Sequence, residues 1–156
     1  MKRILLIIIV DCILLITNCL SQWVLQQTGN NLVKYDVQFV NVNTGWITGT
    51  NSIIMKSINA GANWFQQNAP IPSGIELNAI YMLNANTGYI VGWTSTFLKT
   101  TNGGSNWVQL SVPQGQYNDV YFINEQTGWL CAFLGVIRKT TNGGLNWDSI
   151  NTGGGH

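Results

Sequence analysis

Apolar residues in this chain fall in short runs separated by turns rich in Asn, Gly and Thr, and the runs recur. In the first unit Val37–Asn41 predicts a strand. Asn43-Thr44-Gly45 predicts a turn, because Asn and Gly tolerate the positive φ that tight turns demand. Trp46–Gly49 and Ile53–Ser57 predict two further strands, Asn59 to Ala62 a second turn, and Trp64–Gln67 a fourth strand. Two later units repeat this layout, with Asn102-Gly103 and Asn142-Gly143 as hairpin signals. Runs such as Tyr89-Ile90-Val91 are apolar on successive residues rather than alternating, which implies burial on both faces of each sheet.

The repeat is exact in length within each unit. Trp falls at 23, 64, 107 and 147, spacings of 41, 43 and 40. Asp36–Trp64, Ala79–Trp107 and Asp119–Trp147 align without a gap over 28 steps each, and all length variation lies between them. That pattern describes a rigid supersecondary unit joined by tolerant linkers. Four strands per 40–43 residues, covered on both faces, is the pattern of propeller blades. The fold expected is all-β. It has three four-stranded antiparallel blades at about 36–68, 79–111 and 119–151, plus one leading strand at Trp23–Gln27, as a partial or open propeller.

Eight positions are identical in all three units. They include Lys56/Lys99/Lys139, Asn59/Asn102/Asn142, Gly61/Gly104/Gly144 and Trp64/Trp107/Trp147. The hairpins built on them, such as Thr100-Thr-Asn102-Gly-Gly104-Ser-Asn-Trp107, resemble the Asp-box of sialidase-type and sortilin-type propellers. With a preceding Thr-Gly-aromatic turn (Thr44-Gly45-Trp46, Thr87-Gly88-Tyr89, Thr127-Gly128-Trp129) they look most like photosystem II stability/assembly factor-like repeats. The resemblance covers residues 36–147 and the strand at Trp23. It speaks to fold more than to function.

The motif has a structural reading. A side-chain oxygen at Asn59, Asn102 or Asn142 accepts turn N–H groups. Gly61, Gly104 and Gly144 permit a backbone that other residues adopt only at a cost. Trp64, Trp107 and Trp147 plug the space between strands. Asn at the usual acidic position removes the charge that a calcium site would need, so no metal and no cofactor are expected.

The first residues read as an address. Lys2 and Arg3 precede an apolar run from Ile4 to Ile16, interrupted by Asp11, and Cys19 and Ser21 place small residues before Gln22. This predicts a signal peptide over 1–21 and a repeat domain over 22–156, in the periplasm or outside the cell. An uncleaved anchor and a lipoprotein through Cys19 are the alternatives. Beyond Ser21 the charges are five against five, and Cys131 is the one cysteine. A lone Cys forms no internal disulfide, and Cys131, between Leu130 and Ala132, is expected to be a buried small hydrophobe.

Composition then limits the chemistry. Charged residues are only 8% of the chain, without a basic cluster, which argues against nucleic acid. The single His is His156, so Ser/His/Asp and Cys/His schemes fail. The resemblance to sialidases implies an arginine cluster and a carboxylate-assisted tyrosine, yet Arg138 is the one Arg after the address segment. A two-carboxylate glycosidase could draw on Glu76, Asp119, Glu125 or Asp148. The reading is a non-catalytic binding or scaffolding module for a macromolecule, with protein the expected partner. A carbohydrate-binding or sialidase-like propeller, and a fragment of a longer propeller, are the other readings. Lys56, Lys99, Arg138 and Lys139 are the candidate partner contacts. Trp93, Tyr117 and Phe133 could make a sugar or peptide platform, although a core role is expected for each. Three blades leave two apolar end faces and open strand edges, so self-association to complete a propeller is also expected.

Overall fold

The computed structural model describes residues 24–150. The expected signal segment, Trp23 and the last six residues lie outside that range. Twelve strands form three four-stranded sheets, each an antiparallel meander in chain order. Blade 1 holds β1 (Lys34–Phe39), β2 (Gly45–Gly49), β3 (Ile54–Ser57) and β4 (Phe65–Gln67). Blade 2 holds β5 (Leu77–Met82), β6 (Gly88–Gly92), β7 (Phe97–Thr100) and β8 (Val108–Gln109). Blade 3 holds β9 (Tyr117–Phe122), β10 (Gly128–Ala132), β11 (Ile137–Thr140) and β12 (Asp148–Ile150). The first strands β1, β5 and β9 pack against one another in order, and β5 and β9 also meet β2 and β6, the second strands of the preceding blades. The blades therefore fan out from a common inner side, as in a propeller.

The first strand of each blade begins earlier than its apolar run predicts and stops short of the Asn. Asn41 is spent on the turn: its Oδ1 accepts the N–H groups of Asn43 (2.9 Å) and Thr44 (2.8 Å), and Asn84 and Asn124 do the same. A register shift recurs at the same repeat position, between Lys34 and Asp36, between Leu77 and Ala79, and opposite Cys131 and Ala132. Such bulges sharpen the local twist.

The core lies between blades. Trp46 and Ile54 meet Leu77, Ile80, Met82 and Trp107 between blades 1 and 2. Tyr89, Val91 and Phe97 meet Tyr117, Val120 and Phe122 between blades 2 and 3. A small cluster of Ile47, Ile53 and Met55 sits on the outer side of blade 1, under Leu32 and Trp64.

Two expectations need correction. Residues 24–28 form no strand. Their sequence is that of a fourth blade strand, but the described residues hold no third strand beside them to pair with. Cys131 is exposed, not buried. It stands where Thr48 and Val91 stand in the other blades, and those are covered only because another blade follows.

Candidate functional site

Each hairpin between the third and fourth strands is closed by the same groups. In blade 2 the Thr100 hydroxyl donates to Asn102 Oδ1 (3.1 Å) and accepts the Gly104 N–H (2.9 Å), while Asn102 Oδ1 accepts the Asn106 N–H (2.9 Å). Ser57, Asn59 and Asn63 repeat the arrangement in blade 1, and Thr140, Asn142 and Asn146 in blade 3. Gly61, Gly104 and Gly144 sit at φ +83°, +82° and +90°, the left-handed region that glycine enters without steric cost. Trp107 is buried and donates its indole N–H to Gln67 Oε1 at 3.3 Å. Trp147 stands edge-on to Phe97 and Phe122, and Trp64 edge-on to Phe39. In blades 2 and 3 the Gly and Trp of the hairpin meet the preceding blade, whereas Trp64 packs on its own blade, and all three Asn spend their side-chain oxygens on the hairpin itself.

The repeated lysines lie over aromatic rings of their own blades: Lys56 over Trp46 (4.9 Å), Lys99 over Tyr89 (5.5 Å) and Lys139 over Trp129 (5.6 Å). Each contact is a cation–π pair. Lys56 also reaches across to blade 2 and donates to the Gly103 carbonyl at 2.9 Å. Three further side chains cross the same boundary. Asp36 Oδ2 accepts the Ile80 N–H at 2.9 Å, and Gln38 both donates to the Met82 carbonyl and accepts the Met82 N–H. Gln67 is the third, through Trp107. Sequence reasoning missed these latches. The period-two alternation of β1 sets Asp36 and Gln38 on one face, which was the available signal.

The carboxylates do not converge. Asp36 serves the blade boundary, Asp119 Oδ1 accepts its neighbour's N–H at 2.8 Å, and Glu125 and Asp148 are exposed. Among the described residues no three His, Cys, Asp or Glu side chains gather as a metal site would need. The aromatic platform divides. Tyr117 is fully buried, whereas Trp93 (43% exposed) and Phe133 (60% exposed) are at the surface, at equivalent ends of β6 and β10. Each donates its backbone N–H to the linker before its own blade, Trp93 to the Glu76 carbonyl and Phe133 to the Gln116 carbonyl.

Arg138 takes a position that holds Met55 in blade 1 and Leu98 in blade 2. Leu98 is fully buried. Arg138 instead donates through Nη1 to Ser149 Oγ at 2.8 Å, and its buried Nε has no partner among the described residues. It lines a cavity of about 410 Å³ with Gln114, Gln116, Phe133 and Leu134. Burial raises the Tyr117 hydroxyl above the ordinary tyrosine range, and the Arg138 charge partly opposes that rise. A larger groove of about 850 Å³ runs along the outer face of blade 1, between Val24, Gln26, Tyr35, Val37, Phe39 and Trp64.

The sequence matches the family described as Photosynthesis system II assembly factor YCF48 over residues 16–154. The chain belongs to that family. Solved YCF48 structures share the fold. A structure of YCF48 bound to D1 peptide superposes with a TM-score of 0.74 at 24% identity, covering 80% of this chain and 42% of that one. YCF48 from Cyanidioschyzon merolae superposes with a TM-score of 0.72 at 21% identity, covering 83% of this chain and 40% of that one. No curated protein matches the chain significantly. The chain therefore spans less than half the length of the solved YCF48 structures it matches.

Proposed function

We propose that this chain is an exported, non-catalytic protein-binding module of the YCF48 family. Its binding element is the cavity at Arg138. The observation that carries the reading is the solved YCF48 bound to D1 peptide, a relative whose partner is a peptide. The local chemistry agrees. A guanidinium with an unpartnered Nε, at a cavity bordered by exposed Phe133 and Leu134, suits a peptide that offers a carboxylate beside an apolar side chain. The scattered carboxylates and the lack of a His within the repeats support a non-catalytic role. Lys56 is engaged at a blade boundary and Lys99 and Lys139 lie over rings of their own blades, whereas Arg138 lines a cavity, so it is the cation of the four best disposed to meet a partner.

Export rests on the segment 1–21, with cleavage before Gln22 and lipidation at Cys19 as the other outcome. N-terminal sequencing and mass measurement of the product from an exporting host separate the two. Binding is tested by fluorescence anisotropy with labelled peptides that pair an acidic group with apolar residues. Arg138→Leu restores the residue type of blade 2 and should keep the fold. It should weaken binding roughly tenfold or more, as expected for a hydrogen-bonded charge. Equal affinity in the variant, or no peptide bound by either protein, would reject the reading.

A further inference from the structure

The chain packs blade on blade twice at equivalent repeat positions and exposes the two halves of that packing once each. At the boundary of blades 1 and 2, the second-strand residues Trp46 and Thr48 are fully covered, and at the next boundary so are Tyr89 and Val91. Their counterparts in blade 3, Trp129 and Cys131, are half-buried and exposed. On the opposite side, Ile80 and Met82 are 4% and 3% exposed, and Val120 and Phe122 are 3% and 0%. Their counterparts in blade 1, Val37 and Phe39, are 55% and 42% exposed. A polar latch follows suit. Asp119 Oδ2 makes no hydrogen bond among the described residues, whereas Asp36 Oδ2 bonds the next blade.

We propose that the open face of blade 3 docks, head to tail, on the open face of blade 1 of a second copy of this chain. The internal boundaries supply the contacts. Lys139 reaches the carbonyl of Ala60, which keeps the left-handed backbone of Gly103 (φ +57° against +65°). Trp129 and Cys131 cover Val37 and Phe39 in the groove along blade 1. Ile150, three residues past its hairpin Trp, takes the place that Gln67 holds over Gly104. Gln26 occupies that place on blade 1, its Oε1 3.4 Å from where a Gly61 side chain would begin. Residues 24–28 form no strand, so displacing Gln26 forfeits only side-chain contacts. Two copies of three blades make six, within the four to eight of known propellers.

Light scattering on the purified chain tests this. The expected mass is twice that of one chain, and Cys131 alkylation, located by peptide mass, should slow as protein concentration rises. Val37→Asp spoils only the blade 1 face and Cys131→Arg only the blade 3 face, so each variant should run as a monomer. An equimolar mixture should recover a dimer through the one intact pair of faces, which a misfolded variant could not do. A monomeric wild-type chain with concentration-independent Cys131 alkylation would overturn the proposal, as would folded variants that retain the wild-type mass.

Discussion

The two boundaries inside this molecule use one repeat and two chemistries. Between blades 1 and 2 polar side chains reinforce the apolar core: Asp36 and Gln38 bond the backbone of β5, Lys56 bonds Gly103, and Gln67 bonds Trp107. Between blades 2 and 3 aromatic rings dominate, beside two polar contacts, Asn78 Nδ2 to the Tyr117 carbonyl (2.8 Å) and the Tyr89 hydroxyl to the Glu125 carbonyl (3.5 Å). Tyr89 stacks on Phe122 at 3.7 Å, Phe97 lies parallel to Tyr89 at 5.9 Å, Trp147 closes the cluster edge-on, and Tyr81 tilts onto Tyr121. Gln38 and Tyr81 are the same repeat position, and so are Gln67 and Leu110. The hairpin geometry sets where neighbouring blades meet. It leaves open whether hydrogen bonds or ring contacts hold them, since either chemistry fills the same space.

Losing a buried ring at either boundary should cost most. Phe122→Ala removes a fully buried ring at the centre of the stack, and a loss of about 3–5 kcal/mol in denaturant unfolding is expected. Trp107→Ala should lose a similar ~3–5 kcal/mol. Trp64→Ala, at the half-exposed copy of the same position, should lose clearly less. Equal losses for the two tryptophans would mean that the hairpin alone, not the neighbouring blade, fixes the value of the residue.

The polar boundary should yield to a smaller change. Gln38→Ala leaves the Met82 N–H and carbonyl without their partner, at an expected cost of about 1–3 kcal/mol. Replacing Gln38 by Tyr, as in blade 2, would sharpen the comparison. Recovery of part of that loss would show that the two chemistries are interchangeable at one position.

Alkaline pH separates the boundaries without a large mutation. Burial, reinforced by the nearby Glu125 carboxylate, pushes the Tyr89 hydroxyl up to about 12 from an ordinary 10.0. The neutral phenol is favoured in the folded chain, so its contribution is complete below pH 10 and is lost as pH rises toward 12. Tyr89→Phe should therefore flatten the stability profile between those values and change little at neutral pH. An unchanged alkaline slope would remove Tyr89 as its cause. The smallest effect belongs to Asn102→Asp. The carboxylate offers the same acceptor to the Asn106 N–H, and a change within about 0.5 kcal/mol is expected.

Much of the candidate site could be read from the chain, but unevenly. The Asn–Gly–Trp hairpins were legible because their bonds span four residues or fewer and their glycines answer to a local φ. The strand at 24–27 was legible only as a sequence match, because a strand needs a partner that the residue types do not name. In the sequence Arg138 is only the one Arg after Ser21, a candidate partner contact beside three lysines. Its place at a cavity beside Phe133 depends on the turn after β10, which brings together residues whose spacing carries no signal.

Secondary structure, repeat length and hairpin closure follow from the sequence alone, because steric limits on φ and short-range hydrogen bonds act within a few residues. Exposure does not. Cys131 and Val91 occupy one repeat position in similar apolar runs, yet Val91 is fully buried and Cys131 is exposed. The same holds for Phe39 and Phe122 at the other face. Burial is a relation between a residue and whatever packs against it. In a stack of near-identical blades, only the tertiary order decides which copy of a residue has a neighbour.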